Sequence, residues 1–440
     1  MPITYDSATN TITVVGGTED NPYTFEDIYN ADQANGWGVF TKLSEGVYKT
    51  TAKLQFGDGT TETWFKEAGT TLIIDHVATT NGDTVVNFKD YCNAQFGEKE
   101  DVNGNIVVKN GVIFILRDTT YNDVQFKHDM YSEVKYYECK FNITTDSKRY
   151  KLYKYMREIV GCLASIYICM PTNTLIKNTI ISGRFGHIAS PLNCSFSNLY
   201  IIPAMNYAFW FVNYNVVVSN SRIATLDHLA SVNNLQSPNV IKFINCKAHN
   251  WKIRWYLSSG ATSGELQRIY ACKFKIVDKN GNPLANRTVK VYNKNGDKIA
   301  EVTTDTNGET PEVEILYAKL VNPYADDTWH IFYDEDWEYF NPFVVEVWYA
   351  NELEYKGILT DLDVESTFIQ ITVKPSSFTL DDIYNLQDKI RKYLTNRWKI
   401  ENNQLIIYDD DGITPILTFD LFDQAGRPTE VNVYERRPKS

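Results

Sequence analysis

Five carboxylates stand where a β-rich chain could perform acid and base chemistry: Asp90, Asp118, Asp129, Glu133 and Glu138, with His128, Arg184 and His187 as companions. Hydrolysis of a glycosidic bond needs two suitably separated carboxylates, one to protonate the leaving oxygen and one to attack or to activate water. Elimination needs a base and neighbours that stabilise developing charge. None of these residues falls in a spacing specific to either reaction. Asp118 follows the expected strand over 112–116 and reads as its end, and His128-Asp129 reads as a polar edge. Arg184 and His187 flank Phe185-Gly186 in a loop able to hold a ligand, with a structural role the stronger reading. No residue is therefore assigned a catalytic, cofactor-binding or metal-binding role.

Other chemistries fail on motif grounds. A phosphate-binding Walker loop, a strand-linked GxGxxG, HExxH and a GxSxG elbow are all absent, and the six His are too scattered for a zinc cluster. Asp278-Lys279-Asn280-Gly281-Asn282 places Gly too early for a calcium loop, and Asp409-Asp410-Asp411-Gly412 reads as a hairpin turn. The seven cysteines, at 92, 139, 162, 169, 194, 246 and 272, are odd in number and contain no CxxC, so they read as small apolar core residues. No cofactor is implied. Aromatic residues are the better handle: Trp329, Tyr333, Trp337, Tyr339, Phe340 and Phe343 form one dense stretch, and Trp251, Trp255 and Tyr256 another. Exposed members of these sets would stack on sugars or anchor a protein partner.

The formal charge of -12 argues against nucleic-acid binding through a basic surface. The opening residues lack a basic and apolar leader, and the apolar runs over 159–170 and 207–218 are too short or too interrupted to span a bilayer. Synthesis in a cytoplasm without a visible signal peptide, and no membrane insertion, are the expectations.

The elements that would position these side chains are short strands and tight turns. Strand signals at 54–56, 63–65, 71–74 and 85–88 are broken by Gly57-Asp58-Gly59, Glu67-Ala68-Gly69 and Asn81-Gly82, with no room for an amphipathic helix between them. A phrase with a small residue recurs as Glu138-Cys139-Lys140-Phe141, Asn193-Cys194-Ser195-Phe196, Asn220-Ser221-Arg222-Ile223, Asn245-Cys246-Lys247-Ala248 and Ala271-Cys272-Lys273-Phe274. Its small residues are 55, 27, 25 and 26 positions apart, a period near 26 that suits one three-sided coil. Alternation points Cys194, Phe196, Cys246 and Ala248 inward, and Asn at 178, 193, 198, 213, 215, 220, 245 and 250 suits left-handed corners whose amides stack. Thr24, with Asp27 three residues on, predicts a short helix over 24–31 across one end of the coil. Leu152, Tyr155, Met156 and Ile159 predict a helical interruption over 148–159.

After Cys272 the phrasing changes. Asp278-Lys279-Asn280-Gly281-Asn282-Pro283-Leu284, Val289-Lys290-Val291 and Thr304-Asp305-Thr306-Asn307-Gly308 resemble immunoglobulin-like or transthyretin-like modules related to the regulatory domain of carboxypeptidases. That resemblance implies a spacer or adhesion unit. Thr379 and Asp382 open an expected helix running to about Arg397, with Leu380, Ile383, Leu386, Ile390, Tyr393 and Leu394 on one face. The strand pair over 398–423 resembles the endings of structural and tail-associated proteins of tailed bacteriophages, and the opening over 17–28, Gly17-Thr18-Glu19-Asp20-Asn21-Pro22-Tyr23 onward, resembles the start of β-helical proteins from phages and gut bacteria.

The expected fold is mainly β: a right-handed parallel β-helix with an N-terminal cap over 1–269, a small immunoglobulin-like β-sandwich over 270–375, and a helix with a β-hairpin over 376–440. The phage resemblance implies a non-enzymatic virion protein, a tail, fibre or head appendage. Its partners would be other virion proteins, further copies of itself, and a host glycan or surface receptor. The competing readings are a β-helical polysaccharide depolymerase, lyase or hydrolase, and a bacterial surface adhesin.

Overall fold

The computed structural model describes residues 2–102, 105–117, 121, 123–144, 149–164, 167–183, 188–189, 191–192, 194–203, 207–363, 368–373, 388, 391–392, 396–423, 425–429 and 435–438. Short strands follow one another around three sheets. Sheet one runs from the antiparallel pair Ile3–Asp6 and Thr11–Val14 through parallel strands that include Lys53–Phe56, Asp83–Phe88, Asp123–His128, Tyr207–Phe211, His228–Asn233 and Ile253–Tyr256. Sheet three stacks Thr63–Glu67, Cys92–Phe96, Glu133–Tyr137 and their successors up to Glu265–Val277, and sheet two stacks Thr71–Ile74, Ile113–Leu116, Lys140–Ile143 and their successors up to Lys247–Ala248. Each turn of chain visits sheets one, three and two in that order, the mark of a parallel β-helix. Antiparallel strands close the far end: Trp329–Phe332 on sheet one and Val313–Leu320 on sheet three.

In-register stacking builds the core. Phe56, Phe88 and His128 occupy equivalent positions on successive strands, with ring centroids 5.0 Å apart at each step. Phe96 stacks on Tyr136 at 5.5 Å and Phe114 on Phe141 at 5.1 Å. Each fully buried ring contributes roughly 1.5–3 kcal/mol by leaving water.

One corner repeats. A left-handed residue, Glu138, Gly161, Asn178, Asn198, Asn220 or Asn245, ends a strand of sheet three. A buried residue follows it: Cys139, Cys162, Thr179, Leu199, Ser221 or Cys246. The thiols and hydroxyls at these positions donate to strand carbonyls, as Cys246 does to Val218 and Ile244 and Thr179 to Ile159 and Lys177. Asn198 donates to the Asn178 side chain at 2.9 Å, so the amides stack as expected. Successive buried residues are 23, 17, 20, 22 and 25 positions apart, which corrects the period of 26. Cys194 sits at a different corner, before its sheet-three strand, and Cys272 lies within the strand Glu265–Val277. Two corners that both need a small inward residue had merged into one apparent repeat.

The cap forms as expected. The helix Phe25–Asn35 has Thr24 as N-cap, with reciprocal bonds to Asp27, and Phe25 packs against Phe40, Tyr48 and Phe65. The helical interruption over 148–159 does not form. Arg149–Tyr153 and Glu158–Val160 are strands, and Lys154 and Tyr155, both at positive φ, turn the corner between them. Leu152, Met156 and Ile159 are buried all the same, because a corner between two strands reproduces a helical spacing.

The chain divides into two compact units, one of residues 1–277, 283–347 and 356–371, the other of 278–282, 348–355 and 372–440. A four-stranded antiparallel sheet is made of Lys298–Thr303, Thr288–Tyr292, Phe343–Tyr349 and Glu352–Leu359. A second joins Trp398–Glu401, Gln404–Tyr408, Pro415–Phe422 and Glu435–Pro438, with the Asp409–Gly412 turn closed by a bond from the Gly412 N–H to the Asp409 carbonyl. The helix expected up to about Arg397 lies mostly outside the described residues. Among the described residues, no helix is long and apolar enough to cross a membrane.

Candidate active site

Three of the five carboxylates singled out in the sequence are held by local partners. Asp90 accepts from the Tyr131 N–H at 2.7 Å, Asp129 lies between Lys89 and Lys127, and Glu133 lies beside Lys135. Glu138 is a left-handed corner residue. His128 is a core residue, bonded through Nε2 to the Tyr136 hydroxyl at 2.8 Å and through Nδ1 to the Tyr153 carbonyl at 3.1 Å. Burial holds its pKa down to about 4. Asp118, Arg184 and His187 lie outside the described residues. The seven thiols are buried, and burial pushes Cys246 and Cys272 up to about 12, as inert core thiols require.

A different constellation assembles on the outer face of sheet one. Phe209 and Phe211, Ala230 and Val232, and Ile253 and Trp255 point into the core on three consecutive strands, so Trp210, Ser231 and Arg254, paired in register between them, face out. Leu229 and Ala230 are both fully buried, as are Ala208 and Phe209 on the preceding strand, so alternation breaks on both strands while the ladder keeps one register, Tyr207 with His228 and Phe209 with Ala230. That break in alternation sets His228 on the same side as Ser231. Nδ1 of His228 lies 3.1 Å from Oδ2 of Asp227, and its Nε2 lies 3.2 Å from Oγ of Ser231.

Charge and aromatic rings surround this relay. Lys252 pairs with the other oxygen of Asp227 and lies 5.5 Å from the Tyr333 ring centroid. Arg254 lies 4.4 Å from the ring centroid of Trp329. Tyr207 packs on His228 with ring centroids 5.4 Å apart, and on Trp210 at 6.1 Å. The Trp210 Nε1–H is buried with no hydrogen-bond partner among the described residues. Bonds from Lys252 and then His228 hold the Asp227 carboxyl below the usual range. Burial, more strongly than the opposing pull of Asp227, lowers the His228 pKa, and Lys252 and Arg254 lower it further. At neutral pH the imidazole is therefore uncharged beside an ionised carboxylate. Nδ1 carries the proton, which it donates to Asp227, and Nε2 accepts from the Ser231 hydroxyl.

That arrangement is an oriented general base between two cations. Acyl transfer through Ser231 fits less well, because its strand lies between two parallel neighbours whose ladders engage the nearby N–H groups, leaving that strand no oxyanion cradle to offer. Of the aromatic stretches noted in the sequence, Trp329 and Tyr333 border the site and are exposed, whereas Trp251 and Trp337 are buried around the Arg268 guanidinium, 4.2 and 5.7 Å from it. Sequence reasoning missed His228 and Ser231. Three residues apart on a regular strand, they would face opposite ways.

No family model matches the chain, and no curated protein matches it. A solved structure that does match is the crystal structure of a periplasmic alginate epimerase, at 11% identity and a TM-score of 0.23, covering 54% of this chain and 69% of that one. No virion protein is returned and the matching structure is an enzyme's, so three expectations are corrected: a non-enzymatic virion component, a tail fibre or appendage, and a chain without catalysis. At that TM-score the likeness carries no argument about substrate or mechanism. Those rest on the chain's own side chains.

Proposed function

We propose that the chain acts on an acidic polysaccharide by β-elimination at the outer face of sheet one, with His228 as the base. The observation that carries this is the neutral imidazole, oriented by Asp227 and set among Lys252 and Arg254. In the reaction, His228 Nε2 takes the proton from the carbon next to the uronate carboxylate. The electron pair forms a carbon–carbon double bond, the glycosidic C–O bond breaks, and the leaving oxygen takes a proton from Tyr207. Lys252 and Arg254 hold the carboxylate as charge builds on it.

The same face repeats an aromatic ring beside a cation: Lys154 with Tyr153 at 5.6 Å, Lys151 with Tyr167 at 5.3 Å, and Arg254 with Trp329 at 4.4 Å. A uronic acid offers the complement, an apolar ring face and a carboxylate. Hydrolysis is less well supported, because Asp227 is held ionised and cannot serve as the acid. The division expected from sequence, a coil body over 1–269, a spacer over 270–375 and a terminal element over 376–440, belongs to this proposal.

The test is incubation with a panel of uronic-acid polysaccharides, following the ultraviolet absorbance of the unsaturated product. His228→Ala should lower kcat by about 10²–10⁴-fold. Activity should persist from neutrality down to the depressed His228 pKa and fall below it, because a protonated imidazole cannot accept a proton. Absence of unsaturated product across the panel, or full activity in His228→Ala, would refute the proposal.

A further inference from the structure

A second groove lies on sheet three, away from the strand that carries His228. Two outward columns cross three strands in register: Trp64, Asn93 and Glu133, and beside them Lys66, Gln95 and Lys135. One end is walled by the chain that enters the N-terminal helix. There the Tyr23 N–H donates to the Trp64 carbonyl at 3.0 Å, the Lys66 N–H donates to the Tyr23 carbonyl at 2.9 Å, and Glu19 and Pro22 line the groove. Gly17 permits this close approach, since a Cβ there would meet the Trp64 carbonyl oxygen at 2.9 Å. The open space is about 530 Å³ including its mouth, room for a pyranose ring.

The chemistry of the lining selects the ligand. Trp64 is half-buried and supplies a flat apolar wall at the helix end of the groove. Strands about 4.8 Å apart present the two amides and the charged groups at intervals suited to successive hydroxyls of one sugar. Glu19 and Glu133 balance Lys66 and Lys135, so the groove carries no net charge, and Lys66 and Glu19 have no charged partner among the described residues. A polyanion would meet as much repulsion as attraction here, unlike on the cation-rich face of sheet one. Asn93 donates to Glu62 at 3.3 Å and Gln95 to the Gly97 carbonyl at 2.9 Å, which fixes both amides beside Trp64, where a ring face against the indole would bring sugar hydroxyls to amide oxygen, ammonium and carboxylate.

We propose that this groove is a non-catalytic binding site for an uncharged pyranose of a glycan chain, independent of the reaction assigned to His228. The experiment uses the full chain on immobilised linear glucans, galactans, mannans and xylans, with uronic-acid polysaccharides alongside. At least one neutral glycan should retain the protein. Trp64→Ala should weaken that binding roughly tenfold or more, as loss of a central aromatic anchor does. Lys66→Ala, at an exposed position where folding is not in question, should weaken it in the same direction, and His228→Ala should leave it unchanged. The proposal is overturned if no neutral glycan is retained, if only acidic glycans are, if Trp64→Ala and Lys66→Ala bind as the parent does, or if His228→Ala abolishes binding.

Discussion

His128 should make the coil acid-sensitive in a way that can be separated from its carboxylates. The imidazole is fully enclosed between the Phe88 ring, stacked at 5.0 Å, and the Tyr136 hydroxyl at 2.8 Å, and burial lowers its pKa from 6.5 to about 4. The unfolded chain takes up a proton near pH 6.5, whereas the folded chain does not until about pH 4. Stability from this group is therefore intact above about pH 6.5 and drains away as pH falls towards 4. At about 1.4 kcal/mol per unit, the loss amounts to about 3 kcal/mol. His128→Gln removes the titration and keeps groups able to bond to Tyr136 and the Tyr153 carbonyl. The assay is urea unfolding of both proteins from neutrality to about pH 4, with hydrogen exchange in Asp123–His128 and Arg149–Tyr153 as the local readout, because a solenoid opens in stretches. Whatever the variant's starting stability, the gap between the curves should shrink by about 3 kcal/mol on acidification. Parallel curves would show that His128 protonates in place and that the burial argument is wrong.

Two further perturbations probe how the coil closes. Gly111→Ala would place a Cβ 2.1 Å from the Glu138 carbonyl oxygen, backbone that cannot swing aside, and should cost about 3 kcal/mol in denaturant unfolding. Gly260→Ala, with nothing within 4 Å but φ at +74°, should cost only about 1 kcal/mol; equal losses would count against the close-approach reading. At the left-handed corner, Asn198→Ala should cost about 1–2 kcal/mol through backbone strain and loss of the 2.9 Å bond to Asn178, and Asn198→Gly distinctly less. If Gly and Ala proved equally costly, the corner would not be set by its backbone conformation.

The coil was legible in the sequence because its determinants are local. Asn and Gly mark left-handed corners, alternation sets which side of Cys194-Ser195-Phe196 faces in, and Thr24 with Asp27 announces the cap. Its period was not, because Cys139, Cys194 and Cys272 serve three different positions that share one demand, a small side chain in a crowded interior. The aromatic clue survived in part: Trp329 and Tyr333 do border the candidate site, but only the fold separates them from Trp251 and Trp337, whose rings close on Arg268.

The relay itself was hidden by the rule that made the coil readable. Strict alternation assigns His228 and Ser231 to opposite faces, and His128 and Asp129, read from the sequence as a polar edge, become a core group and a surface ion-pair partner. Two consecutive buried residues, Leu229 and Ala230, matched by Ala208 and Phe209 on the preceding strand, break the alternation without shifting the register, and the apolar pair between Asp227-His228 and Ser231 is the trace this leaves in sequence. The irregularity draws a base, its orienting carboxylate and a hydroxyl onto one face, between strands that contribute Lys252 and Arg254 on one side and Tyr207 and Trp210 on the other. A strictly alternating rung at this level would leave His228 facing away from Ser231, so the break in alternation is what assembles the site.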